Sequence, residues 1–197
     1  MIDYISGRLS ELTPTIAVIE NNGIGYVVEI SLQTYSALDG RTEAKVYVQK
    51  QLNQRDGTEV DYGFFSKDER DLFRNITSVS GMGASSARMV LSSMSSDEFR
   101  EAILSEDVNR IKSVKGIGLK TAQRMILELK DKIVKGEEAS ADILFRADSN
   151  AAAEEATSAL QMLGFSKPNI AKAMQKILKD NPGAKVEDII KAALKML

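Results

Sequence analysis

Two copies of one local pattern sit 35 residues apart, and that spacing restricts the fold more than any other feature of the chain. Shifted by 35, Ile76, Ser78, Val79, Gly81, Gly83 and Ala87 fall on Ile111, Ser113, Val114, Gly116, Gly118 and Ala122. In each copy a short helical stretch runs into a Gly-x-Gly turn and a second helical stretch follows. A helix over Asp68 to Thr77 precedes Gly81-Met82-Gly83, and one over Ser85 to Ser93 follows it. After Gly116-Ile117-Gly118, the residues Ala122, Met125, Ile126, Leu129 and Ile133 recur at spacings of three and four, the apolar face of a longer helix. Repetition at a fixed offset says more than a lone Gly-x-Gly.

The chemistry of such a turn follows from its backbone. Two glycines let the main chain approach a large ligand with no Cβ in the way. A helix begins directly after them, so its unpaired N–H groups and positive dipole end face outward. That arrangement suits one phosphate of a nucleic-acid backbone. Around the second turn, Arg110, Lys112, Lys115, Lys120, Arg124, Lys130, Lys132 and Lys135 stand against only Glu128 and Asp131. Together these features read as a sequence-independent grip on DNA; the plain alternative is a pair of helical hairpins with glycine turns. A third Gly-x-Gly, Gly23-Ile24-Gly25, runs into the alternating stretch Tyr26 to Ile30 with no helix behind it, and reads as a β-turn.

Composition closes off several other chemistries. The 197 residues hold no Cys and no His, which removes disulfides, thiolate catalysis, the usual metal ligand and the usual general base. No catalytic or metal-binding group is expected. Lys and Arg number 26 against 28 Asp and Glu, so the basic cluster near the repeat matters more than the net charge of −2. No apolar run approaches the roughly 20 residues that cross a bilayer. The opening Met-Ile-Asp-Tyr lacks a basic leader, so a soluble cytoplasmic protein with no membrane partner is expected.

In chain order, an α+β multidomain architecture emerges. Residues 1–66 contain Tyr4 to Leu12, Thr15 to Glu20, Tyr26 to Ile30, Ala44 to Gln51 and Thr58 to Phe64, short β-rich runs separated by turn signals, with a helix over Ser31 to Leu38. They predict a five-stranded barrel of the OB type, an SH3-like barrel being the competitor. Between the last two strands, Asp56-Gly57 is either ordinary turn chemistry or an exposed carboxylate at a hairpin tip. Residues 67–135 hold the tandem helix–hairpin–helix repeats, with one joining helix through Phe99, Ala102, Ile103, Leu104, Val108 and Ile111. Residues 136–152 are acidic and small, and read as a flexible linker. Residues 153–197 predict three helices, Ala153 to Leu163, Lys167 to Lys179 and Val186 to Leu197, with Gly164 closing the first. Leu160, Leu163 and Phe165 at that corner are either bundle core or a docking face for a partner.

Barrel, tandem hairpins, acidic linker and three-helix tail, in that order, resemble the RuvA family of Holliday-junction-binding proteins. The stretches that carry the resemblance are Gly7-Arg8-Leu9, Gly23 to Tyr26, Tyr62-Gly63-Phe64, Glu69 to Phe73, Gly81-Met82-Gly83, Val114 to Ala122 and Leu163-Gly164-Phe165. The resemblance implies a homotetramer, or two tetramers on one junction, that holds a four-way DNA junction open and flat. It implies no catalysis and no cofactor in this chain, with ATP used by the RuvB motor that the C-terminal domain recruits, and RuvC resolvase as a further partner. Carried onto this sequence, DNA contacts fall on Gly81, Met82, Gly83 and Ser85, and on Lys115, Gly116, Ile117, Gly118, Lys120 and Thr121. Ser85 stands where the family pattern has a lysine. The strand-parting acidic pin falls on Asp56, where the pattern has two adjacent acids; Gly57 follows here, leaving Glu59 as the substitute. Leu160, Leu163 and Phe165 match the RuvB-facing corner.

Two rival functions remain at this point. A repair enzyme such as a glycosylase would need a nucleophile and a base-sized pocket after the second hairpin, where Glu128, Lys130 and Asp131 offer no aromatic wall. A general DNA scaffold would carry the same hairpins without preferring branched DNA.

Overall fold

The computed structural model describes residues 2–52, 57–145, 149–181 and 183–197. Two compact units divide the chain, Met1–Val134 and Lys135–Leu197.

The first unit opens with β1 (Tyr4–Leu12), β2 (Ile16–Asn21), β3 (Ile24–Ile30), α1 (Leu32–Leu38), β4 (Glu43–Leu52) and β5 (Glu59–Phe64). Alternation drives the strands: on β4, Ala44, Val46 and Val48 turn inward while Glu43 and Lys45 face out. The five strands close as β1-β2-β3-β5-β4, with β3 and β5 parallel and β1 pairing with both β2 and β4. With α1 between β3 and β4, this is the OB order, and the SH3-like alternative falls. Gly7 permits the closure, since a Cβ there would lie 2.1 Å from the carbonyl oxygen of Glu20 on β2. The β2–β3 turn has positive φ at Asn22 (51°) and Gly23 (81°), the pair a tight hairpin requires. It therefore sits one residue earlier than the Gly23–Gly25 reading, and Ile24 and Gly25 open β3.

The helices α2 (Lys67–Thr77), α3 (Ala84–Ser93), α4 (Ser96–Leu104), α5 (Val108–Lys112) and α6 (Leu119–Phe145) complete the repeat region. Residue 66 is no gap between barrel and helices, because Tyr62 and Phe64 share one core with Phe73, Ile76, Phe99, Ile111, Met125 and Leu129. Phe73 packs at 5.0 Å from the Tyr62 ring and 4.9 Å from that of Phe64. One turn back on α2, the buried Glu69 carboxylate accepts hydrogen bonds from Ser31 Oγ and Thr34 Oγ1 on the barrel side. Burial pushes the Glu69 carboxyl above its ordinary range, against those hydrogen bonds. The neighbouring Arg70 donates to the Asp3 carbonyl at 3.0 Å and pairs with its carboxylate.

Two expectations about helices need correcting. The single joining helix is two, α4 and α5. Glu106 takes a left-handed φ of 56°, and the Asp107 side chain accepts from the Arg110 N–H to start α5 afresh. The stretch 136–152, expected as irregular, is helical to Phe145 and again from Ser149. Gly136 is one unfavourable residue among strong helix formers such as Glu137, Glu138, Ala139 and Ala141, and their summed preference outweighs it.

In the second unit, α7 (Ser149–Met162), α8 (Lys167–Asp180) and α9 (Val186–Leu194) bury Ala156, Leu160, Ile170, Ile177, Ile189 and Ala193 against one another. Phe165 N–H reaches the Leu160 carbonyl and Gly164 N–H the Gln161 carbonyl, the two bonds of a Schellman motif, with Gly164 at φ 94°. Among the described residues, no helix is long and apolar enough to cross a membrane.

Glu69 gives a pH signature. Its folded pKa lies above the unfolded value, so its contribution to stability is greatest below the unfolded pKa and is lost as pH rises through the folded one. All five tyrosines lie in the first unit, so tyrosine fluorescence follows its unfolding. Glu69→Gln should cost about 1–3 kcal/mol, the price of imperfectly paired buried hydroxyls. The difference from the unaltered protein should shrink as pH rises, whereas a pH-independent difference would remove Glu69 from this role.

Candidate nucleic-acid interface

The 35-residue repeat reappears bond for bond in the backbone. Val79 N–H bonds to Ile76 O at 3.1 Å, and Val114 N–H to Ile111 O at 3.3 Å. Met82 N–H bonds to Val79 O at 3.0 Å, and Ile117 N–H to Val114 O at 3.1 Å. Ala87 N–H reaches Gly83 O at 3.0 Å, and Ala122 N–H reaches Gly118 O at 2.9 Å. The first glycine of each turn is left-handed, Gly81 at φ 88° and Gly116 at φ 90°. Ile76, Val79, Met82 and Ala87 are buried in the first copy, as are Ile111, Val114, Ile117 and Ala122 in the second.

These bonds revise the role of two expected DNA contacts. Met82 and Ile117 point their side chains into the core and spend their N–H groups on the turn itself. They are anchors of the loop and offer a ligand no donor.

The second glycines are different. Gly83 and Gly118 are exposed, neither has a positive φ, and a Cβ at either would meet nothing within 4 Å. Nothing inside the protein demands a glycine there. Capping makes the same point. Ser31, Ser66, Ser95 and Asp107 cap α1, α2, α4 and α5 with their side chains, while α3 follows Gly83 with no side-chain cap. Gly118 takes the matching place before α6. The N–H groups of Ala84, Ser85 and Ser86, and of Leu119, Lys120 and Thr121, precede the first intrahelical bond and make none among the described residues. Each hairpin therefore presents open donors at a bare helix N-terminus, an anion site on physical grounds.

Charge around the two sites is uneven. Lys112, Lys115 and Lys120 are exposed and make no ion pair among the described residues. Arg110, however, pairs with Glu98 and Glu101, and Lys130 with Glu106 at 2.5 Å. Arg124 donates to Ser80 O at 3.1 Å and Lys132 to Ser78 Oγ at 2.8 Å, so α6 holds the first turn with its own cations. The cluster counted along the sequence is thus smaller at the surface, because α4 and the Glu106 turn supply its counterions. At the first site Ser85 adds no charge, and burial pushes the nearby Tyr62 phenol up.

The other expected residues divide as follows. Asp56 lies outside the described residues. Glu59 begins β5 opposite Leu52 and pairs with Lys50 at 2.7 Å. Its charge is matched at the base of the hairpin, so it does not replace a second acid at the tip. In the C-terminal unit Leu160 belongs wholly to the core, and Phe165 packs on that core as the apolar contact of the Schellman motif. Leu163 is exposed, and beside it Met162 is 90 % exposed, a residue the sequence reading passed over.

A closed OB-type barrel whose last strand lends Tyr62 and Phe64 to the core of two helix–hairpin–helix motifs with open amides defines a class of DNA-binding protein. Comparison with known families agrees along the chain: "RuvA N terminal domain" matches residues 1–57, "SAM-like Helix-hairpin-helix tandem" residues 73–131, and "RuvA, C-terminal domain" residues 151–197. Proteins of Christiangramia forsetii and Bacteroides thetaiotaomicron are 50% and 48% identical over 100% of both chains, and one of Flavobacterium psychrophilum is 44% identical over the same share. All three are named "Holliday junction branch migration complex subunit RuvA". This chain belongs to the RuvA family.

Neighbouring glycines should respond differently to substitution. Gly118→Ala should shift unfolding of the first unit by less than about 0.5 kcal/mol, and Gly116→Ala should cost about 1–2 kcal/mol by forcing an alanine left-handed. Gly118→Leu should nonetheless weaken duplex binding by about 1.5–3 kcal/mol, the value of one hydrogen bond to a charged group. Titration of labelled duplex, with thermal melts alongside, checks both halves.

Proposed function

We propose that this protein binds four-way DNA junctions as a homotetramer, holds them open and flat, and recruits an ATP-driven motor of the RuvB type for branch migration. The observation that carries this reading is the pair of uncapped helix N-termini behind glycines that the fold itself does not require. The names of the full-length relatives support the junction as the substrate. Contacts fall on the open amides of both hairpins, with Lys115, Lys120 and Thr121 at the second and Ser85 at the first. Such contacts address the backbone alone, which lets DNA slide through as branch migration demands. Several weak grips arranged in one symmetric ring favour a branched target over plain duplex by avidity.

The chain supplies no catalytic group or cofactor in this reading; the motor consumes the ATP. Asp56 is the strand-parting pin, acting without Glu59. The segment around 136–152 tethers the C-terminal unit, whose exposed Met162 and Leu163 dock the motor. RuvC-type resolvase is a further partner, and the cytoplasm the place of action.

Sedimentation and anisotropy with a four-way junction and a linear duplex of equal length, at fixed salt, test the proposal. Tetrameric mass and tighter junction binding are expected, and equal affinity for the two DNAs would overturn it. Lys120→Ala should lower the slope of log affinity against log salt by about 0.9 for each engaged subunit, whatever the sequence. Met162→Ser with Leu163→Ser should leave junction binding intact and abolish stimulation of the motor. Unaltered stimulation would move the docking face elsewhere.

A further inference from the structure

We infer that Arg88 supplies the first hairpin with the cation that Ser85 does not, gripping the phosphate next to the one held by the α3 amides. This rests on the reading of the hairpins as a DNA grip. The setting is a groove of about 910 Å³ between barrel and first hairpin, lined by Glu29, Gln51, Tyr62, Gly83, Ser85 and Arg88 among others. The amide site and the guanidinium thus open into one space. Arg88 follows Ser85 by three residues, on the same face of α3 and about 4.5 Å further along its axis. Successive phosphates on one strand are neighbours within the reach of an extended arginine side chain, so a guanidinium one helical turn along α3 can meet the phosphate next to the one at the amides.

Arg88 is also held ready. Its Nη1 pairs with Glu29 Oε2 at 2.9 Å and donates to the Thr15 carbonyl at 3.4 Å. Both bonds use the same nitrogen, leaving the rest of a five-donor fork for a further acceptor. A purely structural pin is poorly motivated. α3 is already fastened to the barrel unit by Leu32 N–H, which donates to Ser92 Oγ at 3.1 Å. A partly exposed ion pair adds little stability beyond that. Glu29 is instead a positioning residue: it orients the guanidinium, and among the described groove residues it is the one acidic group.

Salt-dependent anisotropy with a four-way junction separates the possibilities, using Arg88→Ala, Arg88→Lys, Glu29→Gln and Lys120→Ala in the full chain. Arg88→Ala should reduce the log–log salt slope by about 0.9 per engaged subunit. Arg88→Lys and Glu29→Gln should keep the slope, since each retains the positive charge. Where alanine loosens the fold, seen by tyrosine-detected melting, Arg88→Gln gives the same reading with a side chain of similar reach. An unchanged slope in Arg88→Ala, or an equal loss in Glu29→Gln, would overturn the inference and leave the pair as a pin for α3. Lys120→Ala separates this failure from the broader one. If it lowers the slope while Arg88→Ala does not, only Arg88 is wrong; if neither does, the hairpins are not the grip.

Discussion

Burial of the Phe73 ring against Tyr62 and Phe64 is the contact from which the rest of the first unit follows. Burying such a side chain stabilises by about 1.5–3 kcal/mol, and each ring pair adds about 0.5–1.5 kcal/mol. Packing alone would let α2 roll on the barrel. Glu69 and Arg70 remove that freedom, one bonding to Ser31 and Thr34, the other to Asp3. With α2 fixed, the turn at its C-terminal end is aimed. Arg124 and Lys132 then tie α6 to Ser80 and Ser78, so the second hairpin takes its direction from the first. Placement of the amide cradles is thus inherited step by step from one aromatic joint.

The features legible in the sequence are those written in local periodicity. Alternation in the strands, the apolar stripe through Met125 and Leu129, and the 35-residue repeat all appear where the pattern puts them. The two misreadings of charge share a cause, which is that partners distant in sequence decide the outcome. Counting charges from Arg110 to Lys135 overlooked Glu98, Glu101 and Glu106, which fold back to neutralise Arg110 and Lys130. Glu59 looked like a spare acid until the β4–β5 register brought Lys50 beside it. Leu160 and Phe165, which the sequence leaves open between core and docking face, fall to the core through the Schellman geometry at Gly164. Even the break at Glu106 had a signal, since Asp107 three residues before Arg110 is a helix-start pattern.

Within the site, the sequence distinguishes the two glycines of each turn poorly, because both are simply Gly. Backbone angles separate them. Gly81 and Gly116 serve the fold, being left-handed, and their neighbours Met82 and Ile117 lock the loop from inside. Gly83 and Gly118 serve whatever lies outside, being neither strained nor crowded. A motif that looks like one functional unit is therefore half scaffold and half contact surface, and substitution effects should sort by that division.

The two hairpins are copies in backbone and unlike in surroundings. The second stands with Lys115 and Lys120 exposed and in no ion pair among the described residues, so the hold on a phosphate proposed for it would be direct and sensitive to salt. The first is pressed against the barrel, its Arg88 paired to Glu29 at 2.9 Å. Mobile lysines attract from a distance but fix little geometry, whereas a guanidinium braced by a carboxylate sacrifices long-range attraction for a set direction. Duplicated motifs that diverge in this way divide one task. In the proposed function, one copy would capture the backbone and the other, packed against the barrel, would hold it in a set direction.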